Sequence, residues 1–459
     1  MSLGSRWMPI IRRQFLLPMY WRYYKGSKVM NHYEELKNHQ GYSLSRVKSI
    51  QAHRLTQLLQ YVIDDIPYYR TVARERQINP CEDNVLDELK KFPFLTKELI
   101  RDKRTELCNF HSHSYYRNTS GGSTGEPVIF YQDQCYSDWS SAAKILFDDW
   151  AGRRIGEPKV KLWGSERDIE KHGRGIKGHL SSFLHGQVLL NSFRMSEQDM
   201  KGYIERINVI RPSIILGYVE SLEQLARFVR SNDLEIWSPQ SVMTSAGVLY
   251  ESTRHLLEEV FGCPVFNRYG SREVGDIACE CSNHEGLHLL PDIHVVEVVD
   301  DNGLPVKTGE TGEIVVTTLT NYTMPLIRYR IGDRAEVGTS EKGCGIGFPT
   351  LKSIQGRTTG VFYTRDGSIV DGEYFSHLLY FQDWIQKYQV VQEDYDLIQI
   401  AIVPPRRGAR PTEQEKREIR FKIQSIMGQD MRVIFNFVDD IPPSSSGKFR
   451  YTVSRVDKP

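Results

Sequence analysis

An α/β protein, with a large layered N-terminal part followed by a small α+β unit, is what three features of this sequence predict. Strand-like apolar runs alternate with segments of helical period through the larger, N-terminal part, which implies sheets covered by helices. Beyond about residue 361 the pattern becomes strand, helix, strand. Between the two stands Gly356-Arg357-Thr358-Thr359-Gly360, a glycine-flanked segment able to absorb large backbone rotations.

Taken in order, residues 7–25 mix Trp7, Ile10, Ile11, Phe15, Leu16, Leu17, Met19, Tyr20, Trp21, Tyr23 and Tyr24 with Arg12, Arg13, Arg22 and Lys25. A basic, aromatic amphipathic segment of this kind can lie in a membrane interface. Core-facing helices share the same periodicity, and packing on the protein body is the expectation. Helices are predicted over 44–63, 196–210 and 221–231, and strands over 160–163, 213–216, 294–299 and 313–318. In the C-terminal unit, strands at 397–403 and 431–438 bracket a charged helix over 412–427. The expected domains are 1–356, with a helical N-terminal segment 1–70, and a mobile lid 357–459.

Composition sets the class. With 459 residues, 40% apolar and 25% charged, the chain can bury a large core in more than one domain. A net charge of +1 gives no electrostatic reason to bind nucleic acid. Seven cysteines, an odd number, argue for reduced thiols or a metal site and against a disulfide framework. No apolar run approaches the roughly twenty residues that span a bilayer. The expected setting is cytoplasmic, with peripheral contact at the inner face of a membrane as the reading tied to residues 7–25.

The richest stretch for function is Ser120-Gly121-Gly122-Ser123-Thr124-Gly125-Glu126-Pro127. Its glycines let backbone N–H groups converge on an anion, and its hydroxyls add donors that can reach a magnesium ion. A flexible hairpin turn uses the same residues, and the loop is not of the Walker type, since no Lys follows the glycines. Four further segments follow in fixed order: Asn267-Arg268-Tyr269-Gly270-Ser271-Arg272-Glu273, Arg328-Tyr329-Arg330-Ile331-Gly332-Asp333, the Gly356–Gly360 segment, and Pro442-Pro443-Ser444-Ser445-Ser446-Gly447-Lys448. Together these resemble the adenylate-forming superfamily of acyl-CoA synthetases, peptide-synthetase adenylation domains and luciferases. Residues 61–70, Phe92-Pro93-Phe94-Leu95-Thr96-Lys97 and Gly217-Tyr218 are similar to its phenylacetate-CoA ligase-like branch, and within that to capsule-biosynthesis proteins of the CapK type.

The resemblance implies roles. The loop Ser120, Gly121, Gly122, Ser123, Thr124 and Gly125 would take the β- and γ-phosphates of ATP, with Thr124 also catalytic. Glu273 would hold Mg2+, for which a hard oxygen ligand is suited. Tyr269 would offer a flat face to adenine, within a nucleotide-binding stretch of Asn267, Arg268, Gly270 and Ser271. Asp333 would accept from both ribose hydroxyls, Arg357 would contact the same nucleotide, and Gly247 would line the adenine and acyl site. Lys448, on a Ser/Gly loop, would bridge the carboxylate and the α-phosphate in one domain orientation and withdraw in another. Two departures stand out: Glu126 occupies a position where many relatives carry Lys, and Thr359-Gly360 replaces an Asp-Asp pair.

Cysteines carry a second signal. Cys279, Cys281, His284 and Cys344 are candidate ligands of a structural Zn2+, against the alternative of buried thiols. His288 and His294 are expected to be structural or pocket residues. Carboxylate activation by ATP is the reading this implies: an acyl-adenylate and pyrophosphate form, and the acyl group passes to an amine or sugar in surface-polysaccharide assembly. An aryl- or acyl-CoA ligase, with CoA as acceptor, is the alternative, and a non-catalytic nucleotide-binding protein the second.

Overall fold

The computed structural model describes residues 3–111, 114–119, 128–164, 176–192, 194–339, 343–355, 361–379, 382, 384–385, 387–404, 410–441 and 451–456. It forms two compact units. One gathers residues within Met1–Thr119, Val128–Ile155 and Phe266–Gly356, and the other those within Gly156–Val265 and Arg357–Pro459. This differs from the expected 1–356 and 357–459, because residues 156–265 group with those that follow Gly356. The backbone reason lies in a small ladder of the second unit, where Ile369 pairs with Met195 and Val370 with Arg194.

In the first unit, seven strands pair antiparallel in the order His294–Val299, Thr311–Thr318, Tyr329–Val337, Thr350–Gln355, Leu287–Leu289, Gly275–Glu280, Val265–Ser271. Helix Leu44–Asp65 lies against this sheet through Leu55, Leu58, Leu59 and Val62, which recur at the three-and-four spacing of one helical face and join Ile277, Ile314, Val316 and Tyr329 in one core. Pro67 ends that helix and opens the next, Pro67–Arg76: it has no N–H to donate backward, yet suits a first helical turn.

The second unit holds a parallel sheet in the order Gln187–Asn191, Lys159–Trp163, Ile214–Tyr218, Ser241–Ser245. Every residue of the strands Ile214–Tyr218 and Ser241–Ser245 is buried, as parallel strands covered on both faces require. Helix Glu197–Ile210 starts from a capping box in which Ser196 and Asp199 exchange bonds, and Glu251–Phe261 stops at Gly262, whose φ of 62° few side chains tolerate. A second sheet, ordered Arg432–Phe437, Leu397–Val403, Lys387–Asp394, Thr452–Ser454, packs Ile398, Ile400 and Ile402 on Ile419, Ile423 and Met427 of helix Glu413–Met427.

Candidate functional site

In the first unit the sharpest feature is the hairpin between Val265–Ser271 and Gly275–Glu280. A Cβ at Gly270 would stand 2.5 Å from the Gly275 carbonyl oxygen, and Gly275 has φ of 81°, so this turn needs both glycines. The ladder slips between Tyr269 and Gly270, which tightens the hairpin and re-aims its tip. That tip carries Arg272 and Glu273. Glu273 is only 7% exposed, and no described residue hydrogen-bonds or ion-pairs its carboxylate.

Gln132 holds the tip in place. Its buried side-chain amide donates to the Arg272 and Glu273 carbonyls, each at 3.1 Å, while its own carbonyl accepts from the Asn118 amide at 3.0 Å. Gln132 and Asn118 lie on Ile129–Asp133 and Tyr115–Thr119, two strands that pair antiparallel with Thr119 opposite Ile129. These strands flank the glycine loop, so both sides of it are tied to the Glu273 turn. Ser120, Gly121, Gly122, Ser123, Thr124, Gly125 and Glu126 themselves lie outside the described residues, as do Arg357, Thr358, Thr359, Gly360 and Lys448.

A second pair of expected residues is brought together: the Tyr269 hydroxyl donates to Asp333 Oδ2 at 2.9 Å. Strand Tyr329–Val337 reaches this position through its preceding loop. The Tyr61 hydroxyl donates to the Tyr322 carbonyl and that of Tyr69 to the Pro325 carbonyl, both at 2.9 Å. Asp133 accepts from the Tyr322 and Thr323 backbone at 2.7 and 3.1 Å, while its other oxygen caps helix Gln134–Trp150 at Tyr136. Burial pushes the Tyr69 phenol well up, so it stays a donor.

Other residues of the motifs turn out to build the frame. Arg328 is buried and pairs both forks with Glu297 at 2.9 and 3.0 Å, while Nη1 donates to the Lys90 and Phe92 carbonyls. Phe94 lies under the guanidinia of Arg328 and Arg330 at 4.2 and 4.4 Å, and Leu95 exchanges backbone bonds with Arg328 and Arg330. Arg268, expected at the nucleotide, pairs with the buried carboxylate of Asp276. Asn267 contributes its backbone N–H, which donates to Glu280 at 2.8 Å.

His294 is structural in its surroundings. Its Nε2 meets the Asp276 carbonyl at 3.0 Å, and burial depresses the ring to about 4. The fold keeps the ring neutral, so proton uptake favours the unfolded chain. Stability present above about pH 6.5 is lost as pH falls toward 4, by about 3 kcal/mol. His294→Gln is expected to flatten that slope in urea titrations between pH 7 and 4.5. An unchanged slope would assign it to other groups.

In the second unit, the parallel strands reverse their order of addition between Lys159–Trp163 and Ile214–Tyr218, the place where such sheets open a crevice at their carboxyl ends. Trp163 and Tyr218 end those strands with ring centroids 4.2 Å apart, and the Tyr218 hydroxyl donates to the Gly164 carbonyl at 3.2 Å. Gly247 follows the neighbouring strand. A Cβ there would stand 2.4 Å from Glu220 Oε1, and Ala246 before it holds φ of 69°, a sparsely used conformation.

The cysteine cluster differs from its expected form. Cys281, His288 and Cys344 bring their donor atoms within 4.8 Å of one another, with Cys344 Sγ 3.4 Å from His288 Nε2. His288 Nδ1 lies 3.2 Å from the Phe348 carbonyl; donating there turns the Nε2 lone pair toward both sulfurs. Burial pushes the Cys281 thiol up to about 11. His284 lies elsewhere, on Glu280 Oε2 at 3.1 Å and beside the Phe266 ring, and Cys279 is outside the 4.8 Å group although it is His288's partner across the ladder. His288, read from sequence as a structural or pocket residue, thus takes the place of His284 in the cluster. A Cys followed seven positions later by a His across a tight hairpin was the signal for it. Gln132 and Asp133 had none, being polar residues in an otherwise strand-like run.

Comparison with known proteins gives a concordant result. Residues 362–455 match the family model of the CapK C-terminal domain. Protein CapK of Staphylococcus aureus is 23% identical over 98% of each chain, and the phenylacetate-coenzyme A ligase of Thermus thermophilus is 27% identical over 75% of this chain and 78% of its own. Among solved structures, 2-hydroxyisobutyryl-CoA ligase with 2-HIB-AMP and CoA, in its thioesterification state, superposes with a TM-score of 0.59 at 18% identity, covering 91% of each chain.

Proposed function

We propose that the chain is an AMP-producing ligase of the adenylate-forming superfamily, a reading supported by its similarity to CapK and to phenylacetate-coenzyme A ligases, and that its residues divide the work as follows. A carboxylate resists attack because it is charged and its oxygen cannot leave. Attack on the α-phosphorus of ATP makes that oxygen part of AMP and releases pyrophosphate, so the site must gather charge on phosphate. The observation that carries this reading is the Gln132 clamp, which ties both flanks of the glycine loop to the buried Glu273 turn.

In this reading the loop from Ser120 to Gly125 takes the terminal phosphates, with Thr124 hydroxyl at the reacting end. Glu273 fits Mg2+: it is a buried carboxylate that no described residue neutralises. The ion would supply charge neutralisation to the departing pyrophosphate. Asp333, oriented by the Tyr269 hydroxyl, accepts from the ribose hydroxyls, and the Tyr269 ring lies with adenine. Arg357 contacts the nucleotide, and Lys448 delivers its charge to carboxylate and α-phosphate, with Thr358-Thr359-Gly360 as the joint. The crevice bounded by Trp163, Tyr218 and Gly247 receives the organic part of the acid.

For the acceptor, an amine or sugar hydroxyl in surface-polysaccharide assembly is the reading supported by full-length similarity to CapK. CoA is the second reading, favoured by similarity to phenylacetate-coenzyme A ligases over most of the chain. Pyrophosphate release is to be screened across carboxylates without acceptor, then with CoA, amino acids and amino sugars. Adenylate formed readily and consumed only by an amine or sugar supports the first reading. Rapid thioester formation with a simple aromatic acid transfers it to the second, and no carboxylate-dependent pyrophosphate release overturns both.

Zn2+ is proposed on Cys281, His288 and Cys344, a soft donor set suited to that ion. Its task would be to fasten the hairpin Gly275–Leu289 to the turn at Cys344. Purified protein is expected to contain zinc near one equivalent, and Cys344→Ser to lose most of it and to melt at lower temperature. Metal-free wild-type protein with the same melting temperature would assign the cluster to plain thiols.

A further inference from the structure

We propose that the N-terminal helical segment docks in the plane of an anionic lipid surface. It runs through Leu3–Ile11, Arg12–Leu16, Leu17–Met19 and Tyr20–Tyr24, with two of the four stretches wound as wider π turns. Residues four apart overshoot an α turn and fall short of a π turn, so alternating the two keeps Trp7, Ile11, Phe15, Met19 and Tyr23 along one side. These five are 59, 39, 60, 58 and 76% exposed. Leu17 and Trp21, on the other side, are 1 and 7% exposed and fix the segment to the protein. Packing on the body, the expectation from sequence, therefore accounts for one face and leaves a continuous aromatic and aliphatic stripe on the other. Stripes of this kind mark docking surfaces.

Charge selects the occupant. Residues 1–33 contain Arg6, Arg12, Arg13, Arg22, Lys25 and Lys28, and the first acidic residue is Glu34. Arg13, Arg22 and Lys25 are exposed. The Arg22 guanidinium lies 5.7 Å from the Tyr23 ring centre and the Lys25 ammonium 6.0 Å from that of Tyr20, which sets cations beside the apolar stripe. A second copy of the chain would bring the same positive stripe against itself, at an electrostatic cost. A bilayer with acidic headgroups offers depth for the aromatic rings and negative charge for their flanks. No described helix is long and apolar enough to cross a membrane, so the docking is in-plane.

The test is sedimentation of the full chain with vesicles of phosphatidylcholine, alone or mixed with phosphatidylglycerol, at low and high salt. Binding is expected only to the anionic vesicles and to weaken with salt. The Arg13→Glu, Arg22→Glu double variant is expected to lose more than tenfold in affinity, since each basic group near such a surface contributes about fivefold. Phe15→Ser with Met19→Ser should also weaken binding by about tenfold or more while keeping its salt dependence. Unaltered pyrophosphate release in these variants shows that they remain folded. Equal sedimentation with both vesicle types, or with neither, overturns the proposal. So does a dimer in size-exclusion chromatography that Phe15→Ser dissociates, which would give the stripe to self-association.

Discussion

Glu273→Gln is expected to slow acyl-adenylate formation by about 10²-fold or more, because the variant removes the proposed ligand of the ion that would neutralise departing pyrophosphate. The amide is nearly isosteric, and no described residue bonds the carboxylate it replaces, so the melting temperature should hold. Pyrophosphate release, followed over a Mg2+ titration, separates the mechanism from others: raising Mg2+ should recover part of the lost rate. In Lys448→Ala a comparable loss is expected at every Mg2+ concentration, since in the proposed mechanism that charge acts on the carboxylate and α-phosphate directly. A Glu273→Gln enzyme with wild-type rate and wild-type Mg2+ dependence would take Glu273 out of the metal site.

The second large effect concerns folding. Arg328→Met should cost about 3–5 kcal/mol, because it strands the Glu297 carboxylate and leaves the Lys90 and Phe92 carbonyls without their donor. Burial makes the penalty large: side-chain exposure is 7% for Arg328 and 13% for Glu297. Urea denaturation measures it directly. Adding Glu297→Met should return much of the loss, since an apolar pair of similar volume leaves no buried charge behind. A single variant within about 1 kcal/mol of wild type would show that water reaches Glu297 and that the pair is only a surface bridge.

How much of this was legible in the chain depended on whether the signal was local. Helix Glu197–Ile210 and strand His294–Val299 fall on their expected positions because periodicity and a Ser cap are written in consecutive residues. The helix expected over 44–63 runs on to Asp65, where Pro67 stops it. The sequence alone groups residues 156–265 with the large N-terminal part, since the short pairing of Arg194–Met195 with Ile369–Val370 is a non-local event that two residues cannot announce. At the site, the sequence expects both Tyr269 and Asp333 at the nucleotide, and the structure adds the bond between them. The motif leads to an expectation of Arg268 at the nucleotide; its pairing with Asp276 depends on a hairpin register that the motif does not encode. The same limit moved the thiol cluster from His284 to His288, one strand further along.

The Gln132 clamp has a consequence for how such a protein can change over evolutionary time. Because the amide grips backbone carbonyls rather than side chains, it is indifferent to which residues occupy positions 272 and 273. The loop between Thr119 and Val128 is likewise bounded by a ladder whose register is set by main-chain pairing. The main chain of the Arg272–Glu273 turn is therefore held independently of its side chains: a substitution at Arg272 can change the chemistry there without moving the backbone that positions Glu273. Variation that would be ruinous in a turn held by side-chain contacts becomes tolerable at such a position.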